Sequence, residues 1–222
     1  RLRRVDRIQT GATEALLDHN LTRAREVTSQ IMALYRGRDD TRWGRQAFAD
    51  KQGDVLDADA LLGFAETTIL APLDARARLE VEAAARQVAT VTAIVPLALA
   101  DVFTALMANM RMIRRIAEIY EGRAGTLGTW RLTKQVLSHL VATGAVAVGD
   151  DLIGSVAGGG VLSKVSRRFG EGVINGALTA RVGVAAMEVC RPLSFTVERK
   201  PSVTSLVKRS LTGLFGLTSK DH

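Results

Sequence analysis

Residues 147–164, AVGDDLIGSVAGGGVLSK, combine two adjacent carboxylates with a run of glycines, and these residue types can bind phosphate or a metal ion. A mononucleotide-binding loop needs a glycine, four residues, a second glycine, a lysine, and then serine or threonine. When that motif is aligned on Gly154, Gly160 occupies the lysine position and Lys164 comes too late. The segment therefore does not predict a nucleotide site.

Asp150 and Asp151 could supply oxygen ligands to Mg²⁺. Adjacent side chains on a helix point to different faces, however, and such a site needs further oxygen ligands that converge from elsewhere in the chain. We expect the two carboxylates to end one helix or to cap the next one. We predict no metal site and no cofactor.

Residue types for covalent or acid-base chemistry are sparse. The sequence has one cysteine and three histidines, without zinc-ligand spacing, a nucleophile elbow or a His-Glu-x-x-His pattern. Cys190 lies in an apolar run, where a thiol normally packs as a small hydrophobic group. His139 lies in the body of a predicted helix, where packing is its more common role. We expect a protein that is not an enzyme, with an unrecognised hydrolase as the alternative.

Composition and periodicity predict an all-α fold. Hydrophobic residues make up 47% of the 222 residues but aromatic residues only 5%. Most of the apolar residues are Ala, Leu and Val rather than the residue types that favour strands. Apolar residues also recur at spacings of three and four. The pattern predicts a multi-helix bundle with long helices and an amphipathic C-terminal helix. Pro96 is expected to kink one long helix or to open a new one.

Capping residues and breaks in the apolar pattern set the predicted boundaries. Asn20 is expected to cap the second helix, and Pro72 to end the helix that begins at Asp57. Residues 36–45 are predicted as an exposed basic loop. The main predicted helices cover residues 2–17, 20–35, 57–70, 129–148 and 162–189, with a helical region before residue 122 and a separate helix after Pro201. We predict one helical domain over residues 1–200 and a tail over residues 201–222.

Small residues recur every four positions in the last long helix. Gly172, Gly176 and Ala180, with Gly183 alongside, leave one helix face almost without side chains. Such a face lets another backbone approach closely. We predict a close-packed seam at these four residues, either within the chain or between subunits.

Residues 88–110, VATVTAIVPLALADVFTALMANM, are long enough to span a bilayer and carry one charge, Asp101. On an insertion scale the Val, Ile, Leu and Phe residues contribute roughly −3 to −5 kcal/mol, whereas the aspartate costs about +3 and the polar residues add more. The net free energy of inserting this segment into a bilayer is therefore near zero. We expect a core helix sheltered by the protein, with Asp101 satisfied by an arginine or by hydrogen bonds.

A net charge of +7 predicts attraction to a polyanion, either nucleic acid or an anionic lipid surface. A nucleic-acid-binding surface typically has exposed aromatic residues between basic ones. Only Trp43 and Trp130 match this pattern, and only weakly. We expect no nucleic-acid partner and favour lipid.

The tail PSVTSLVKRSLTGLFGL is short, basic and amphipathic, as are helices that lie in a lipid interface. Its apolar face could equally dock on the protein's own body. The arginines at the start of the chain form a second basic patch of the kind that follows a membrane anchor. The predicted membrane-binding residues are Arg1, Arg3, Arg4, Arg7, Lys200, Leu206, Val207, Lys208, Arg209, Leu211, Leu214 and Phe215.

Three segments, APLDARARLEV, VPLALADVFTALMANMRMIRRIAEIY and GALTARVGVAAMEVCRPLSF, resemble the C-terminal part of the YcjF-like proteins, a bacterial inner-membrane family of poorly defined function. The likeness covers roughly residues 60–196, and the third segment is its most specific part. The resemblance implies a cytoplasmic helical region that follows two transmembrane helices, so that this chain would begin just after the second crossing. It implies no catalytic residues.

Residues and resemblance together lead us to expect a membrane-associated, non-enzymatic helical domain on the cytoplasmic side of the bacterial inner membrane. We expect a homodimer that binds anionic phospholipid and scaffolds or remodels the bilayer. The alternative is a docking or regulatory module for a partner GTPase-like or ATPase-like protein, because a module related to the YcjF-like proteins also occurs behind GTP-binding domains.

Overall fold

The computed structural model describes residues 2–94, 98–121, 126–143 and 163–215. These residues form helices joined by short connections, without a strand, so the predicted all-α fold is confirmed. The α-helices are α1 (Leu2–Leu17), α2 (Leu21–Leu34), α3 (Arg42–Lys51), α4 (Ala58–Ala65), α5 (Ala71–Ile94), α6 (Ala98–Glu121), α7 (Thr126–Ala142), α8 (Ser163–Cys190) and α9 (Val203–Phe215).

Side-chain caps set two of the helix starts, as their residue types predict. The carboxamide oxygen of Asn20 accepts a hydrogen bond from the backbone amide of Arg23 at 3.0 Å and so caps α2. The carboxylate of Asp57 accepts one from the amide of Ala60 at 2.8 Å and caps α4. Each cap satisfies a backbone donor that the first helical turn leaves without a partner.

The predicted helix end before Pro72 is wrong. α4 continues through a π-helical turn, Glu66–Leu70, directly into α5. The amide of Ala71 donates to the carbonyl of Glu66, five residues back. This wider turn gives room to the proline ring, which in a regular α-helix would clash with the carbonyl four residues before it.

Most of residues 36–45 are exposed, as predicted, but the prediction of a loop is wrong from residue 39 onward. The segment contains a 3₁₀ turn, Asp39–Thr41, and the beginning of α3. Arg38 donates to the carbonyl of Ile119 at 2.8 Å and pairs with Asp40, which also pairs with Arg76. The hydrogen bond from Arg38 lowers the pKa of Asp40, so these contacts hold the segment in place at neutral pH.

The chain divides into two compact units. Three helices, α5, α6 and α8, contribute residues to both units. Unit 1 comprises Arg1–Arg76, Ile119–Gly122 and Cys190–Lys200, and unit 2 comprises Ala77–Glu118, Arg123–Val189 and Pro201–His222.

The small-residue face of α8 lies against α5 in unit 2. A methyl group added at Gly172 would stand 2.6 Å from the carbonyl oxygen of Ala89, and one added at Gly176 would stand 3.1 Å from that of Ala85. The two backbones therefore approach without room for a side chain between them. Because the partner's number falls as the glycine's number rises, α5 and α8 run antiparallel.

Gly183 and Ala180 complete this face. A methyl group at Gly183 would stand 2.5 Å from a methyl carbon of Val81 and 3.1 Å from the sulfur of Met112. Ala180 is fully buried. The seam residues thus lie in an intrachain contact of α8.

α9 packs on α5 through its apolar face. The Ser210 hydroxyl donates to the carbonyl of Glu82 at 3.1 Å, and Arg86 donates to the carbonyl of Ser210 at 3.0 Å. Leu206 and Val207 are only 2% and 6% exposed. Of the two alternatives for the tail, the structure favours docking on the protein's own body for these two side chains, which do not reach lipid while α9 stays in place.

Replacement of Gly172 by alanine should lower the free energy of unfolding by about 1–3 kcal/mol, because the added methyl group meets a backbone carbonyl that cannot rotate away. In an open helix the same change would stabilise the protein by roughly 1 kcal/mol. Gly53→Ala is the matched control, since nothing lies within 4 Å of the added methyl group there. Urea denaturation measures both; a Gly172→Ala protein as stable as the wild type would refute the close approach.

Candidate membrane interface and buried charge cluster

Three helix termini meet at one end of unit 2. α5 and α6 are antiparallel, because Arg115 lies 3.1 Å from Glu80 whereas Gln87 and Ala108 line the same cleft further along. α5 and α8 are antiparallel as well. The C-terminus of α5, at Ile94, therefore lies beside the first turns of α6 and near the beginning of α8.

Large apolar side chains are exposed at this end. Ile94 and Phe169 line a hollow of about 180 Å³, together with Leu211 of α9. Monomeric soluble proteins rarely expose contiguous apolar patches larger than a few hundred Å², and larger patches mark interaction sites. Six side chains, each exposed by between 40% and 72%, are termed the apolar end: Ile94, Val102, Phe103, Leu106, Met107 and Phe169.

The predicted sheltering of residues 88–110 holds for residues 88–92 and for Ala108, and is wrong for the face of α6 that carries Val102 to Met107. Val88 and Thr92 are buried in unit 2, where α5 is surrounded by α6, α8 and α9. Val102 and Phe103 are exposed, because that face of α6 packs on no other part of the chain that the structure describes. Residues 95–97 and the side chain of Asp101 lie outside the described residues.

Exposed cations follow the apolar end on two helices. On α6 they begin one turn beyond Met107, and on α9 they occupy the side that faces away from Leu206 and Val207. Some already form ion pairs: Arg114 with Glu118 and Arg209 with Glu82. Five residues are termed the basic belt: Arg111, Arg114, Arg115, Lys208 and Arg209.

The predicted membrane-binding residues divide between the two units. Arg4, Arg7 and Lys200 are exposed but belong to unit 1. Lys208, Arg209 and the half-buried Leu211 belong to unit 2 and lie in the belt or beside the apolar end. Arg1 and the side chains of Arg3, Leu214 and Phe215 lie outside the described residues, as do Asp150 and Asp151.

One described helix segment, Phe169–Cys190, is long and apolar enough to cross a membrane by length and composition, with a mean hydropathy of 1.3. The structure buries 61% of the most apolar 18-residue window of this segment, as it would in a core helix. In the ranges that the structure describes, no group of three or more His, Cys, Asp or Glu side chains is placed to hold a metal ion.

A buried ion-pair cluster that the sequence pattern did not predict lies in unit 1. The guanidinium of Arg191 is fully buried, donates to Asp74 at 2.8 and 2.9 Å, and donates to Glu66 at 3.1 Å. The Tyr120 hydroxyl donates to Asp74 at 2.6 Å. Arg191 also donates to the backbone carbonyls of Leu193 and Ser194 and lies over the ring of Phe195.

Glu66 accepts hydrogen bonds from the segment that follows Arg191. The donors are the Thr196 hydroxyl and the amides of Thr196, Val197 and Glu198. Burial alone would raise the pKa of Glu66, but these hydrogen bonds and the charge of Arg191 outweigh it, so the pKa lies below its ordinary value. Glu66 therefore stays ionised at neutral pH.

The cluster is closed to solvent and so cannot contact a substrate. Burial first, and then the charge of Asp74, raise the pKa of Tyr120 well above its usual value, so the hydroxyl keeps its proton. The role of the cluster is structural, because its hydrogen bonds connect residues 191–198 to the π turn, to α5 and to the end of α6. A signal was available in the sequence, since Arg191 interrupts an apolar run directly before Pro192.

The chain belongs to the family described as a domain of unknown function, DUF697, whose model matches residues 56–216. It is similar to bacterial proteins named UPF0283 membrane protein. The relative from Rhizobium etli is 43% identical over 207 residues, which are 93% of this chain and 58% of that protein. The Mesorhizobium japonicum relative is 42% identical over 203 residues, covering 91% and 56%, and the Rhizobium meliloti relative is 47% identical over 180 residues, covering 81% and 50%.

The chain thus spans little more than half the length of the curated relatives it matches first. No solved structure matches it. The predicted resemblance to an uncharacterised bacterial membrane family is confirmed at this level. The narrower YcjF-like assignment and the cytoplasmic side remain predictions.

Substitution of Glu66 by glutamine should lower the free energy of unfolding by about 3 kcal/mol at neutral pH, because it removes one partner of a buried arginine. Since the folded pKa of Glu66 lies below its unfolded value of 4.5, its stabilisation is complete above that pH and is lost as the pH falls through the folded pKa. Glu66→Gln should therefore also flatten the loss of stability in acid.

The matched control is Glu14→Gln, which breaks an exposed pair with Arg23 and should cost far less stability than Glu66→Gln. Urea denaturation of the three proteins, repeated from neutral to acidic pH, measures both effects. Equal stability of the Glu66→Gln and Glu14→Gln proteins would contradict the structural role of the cluster.

Proposed function

We propose that this domain binds an anionic bilayer by inserting the apolar end into one leaflet, with the basic belt at the headgroups. It acts there as a non-enzymatic, membrane-binding helical module on the cytoplasmic side of the bacterial inner membrane. The observation that supports this proposal is the exposure of six large apolar side chains where helix termini meet, with cations on the next turn of α6.

The dimensions of α6 fit shallow insertion. Val102 and Met107 are five residues apart, which is about 8 Å along a helix axis. Interfacial helices bury their apolar faces by roughly 5–10 Å, whereas the hydrocarbon core is about 30 Å thick. The exposed stripe thus suits entry into one leaflet rather than a crossing.

Neither attraction alone would hold the domain firmly. Partial burial of six side chains is worth about 1 kcal/mol each, and a cation near an anionic surface contributes roughly the same. A membrane anchor of only one kind gives marginal, reversible binding, whereas two together are stable. The proposal therefore requires both the apolar end and anionic lipid.

Insertion into one leaflet would also expand that leaflet and bend the bilayer. Unit 2 offers a rigid body for this purpose, because the seam packs α8 on α5 at backbone distance. Scaffolding or remodelling of the membrane is the proposed consequence. A homodimer would double the number of inserted ends.

A second candidate is the docking of a partner GTPase-like or ATPase-like protein on α7. Trp130, Leu137 and Val141 are exposed on one face of that helix and line a hollow of about 490 Å³ with Lys134. Their spacing suits an apolar helix lying in a groove. This surface belongs to unit 2 but is separate from the residues of the apolar end.

Phe103→Glu should abolish flotation with vesicles of phosphatidylcholine and phosphatidylglycerol, because a carboxylate would have to enter hydrocarbon. Leu79→Glu is the matched control, since Leu79 is 63% exposed on α5 in the same unit, close to the 65% of Phe103, but lies outside the apolar end. It should float like the wild type. With vesicles of phosphatidylcholine alone, neither the wild type nor the Leu79→Glu protein should float.

Equal flotation of the Phe103→Glu and Leu79→Glu proteins would refute insertion through the apolar end. Sedimentation of the same proteins separates insertion from self-association. If the apolar end joins two copies instead, the wild type sediments as a dimer, the Phe103→Glu protein sediments as a monomer, and neither floats.

The docking candidate makes a different prediction. Leu137→Glu should remove an NTPase from material captured out of cell membranes, because the charge would enter the α7 hollow, whereas Phe103→Glu should leave it bound. Mass spectrometry of the captured proteins measures this. Recovery of the same proteins with all variants would remove the candidate.

A further inference from the structure

A cleft of about 90 Å³ opens between α5 and α6 in unit 2. Its polar wall is formed by Glu80 and Gln87 from α5 and by Arg111 and Arg115 from α6, and its floor by apolar side chains that include Ala84 and Met112. Arg111 and Arg115 also belong to the basic belt. The cleft is large enough for a small anionic group rather than for a drug-sized ligand.

The charges in the cleft do not cancel. Arg115 donates to both carboxylate oxygens of Glu80, at 3.1 and 3.4 Å. Arg111 forms no ion pair with any residue that the structure describes, and the Gln87 carboxamide forms no hydrogen bond with one either. One carboxylate and two guanidinium groups leave a net charge of +1, with donors on both helices ready for an anion.

We propose that this cleft binds the phosphate group of an anionic phospholipid, which carries a single negative charge as a phosphodiester. Arg111 donates to the phosphate oxygens as a charge-assisted partner, and the Gln87 amide donates from the opposite helix. Arg115 adds its charge while Glu80 holds its position. The inference rests on the proposed function and names the group that the membrane would present to this site.

The position of the cleft along α6 supports a lipid source for the phosphate. Arg111 lies four residues beyond Met107, about 6 Å along the helix axis. The headgroup layer on each side of the hydrocarbon core is roughly 5–8 Å thick. When Met107 marks the edge of the hydrocarbon, Arg111 therefore lies among the phosphates.

Arg114 offers a matched comparison. It is exposed on the same helix and in the same belt, but it pairs with Glu118 and does not line the cleft. A general electrostatic attraction would depend equally on Arg111 and Arg114. A built site would depend on Arg111 and on the uncharged Gln87.

The test measures the affinity of the full chain for phosphatidylcholine vesicles that contain phosphatidylglycerol. Arg114→Gln should weaken binding by about fivefold, as expected for the loss of one cation at an anionic surface. Arg111→Gln should weaken it by at least about tenfold, the loss expected for a hydrogen bond to a charged group. Gln87→Ala should weaken it by a few-fold without any change in charge. Equal losses for the two arginines, with no effect at Gln87, would overturn the proposal.

A soluble probe separates this inference from the proposed function. The side-chain amide resonances of Gln87 are followed by NMR during titration with dihexanoyl phosphatidylglycerol below its micelle concentration, or with inorganic phosphate. Tighter binding of the short-chain lipid, lost in Arg111→Gln, supports the lipid site. Equal or tighter binding of inorganic phosphate overturns the lipid assignment. If the wild type fails to float, the proposed function fails, yet the titration still decides the cleft.

Discussion

The close approach of α8 to α5 is the constraint on which unit 2 depends. Gly172 and Gly176 bring the two backbones together without intervening side chains. α8 therefore takes up little of the surface of α5, which also receives α6 on the side of the cleft and α9 through Ser210. The antiparallel runs of α5 with α6 and α8 then place Ile94, the first turns of α6 and Phe169 at one end. Larger residues in the seam would separate α8 from α5, and the side chains of the apolar end would then no longer lie together.

Local signals in the sequence predicted much of this framework. Asn20 caps α2 because a carboxamide beside the first helical turn satisfies a free amide whatever surrounds it. The recurrence of small residues every four positions in α8 predicted a close-packed face without any information about the partner helix. Pro72 was interpreted wrongly because its surroundings are not local: the π turn before it begins at Glu66, which is fixed by backbone amides about 130 residues further along the chain.

The candidate site was harder to predict because apolar composition does not reveal what covers a residue. Val88 and Val102 are the same residue type in one hydrophobic segment, yet the first is buried by neighbouring helices and the second is exposed. A hydrophobic stretch has the same sequence whether protein or lipid shelters it. The tail shows the converse, since its amphipathic pattern is typical of interfacial helices but Leu206 and Val207 pack within unit 2. Only the tertiary contacts show which apolar side chains are covered by protein and which are exposed.

Depth measurement by spin labelling tests membrane insertion most directly. A nitroxide is attached at Val102→Cys or at Leu79→Cys; the native Cys190 is buried and stays unlabelled in the folded protein. When anionic vesicles are added, the label at position 102 should gain collisions with oxygen and lose collisions with a water-soluble nickel chelate, because it enters hydrocarbon. The label at position 79 should stay in water. A label at position 102 that remains as accessible to the chelate as the label at position 79 would contradict insertion of the apolar end.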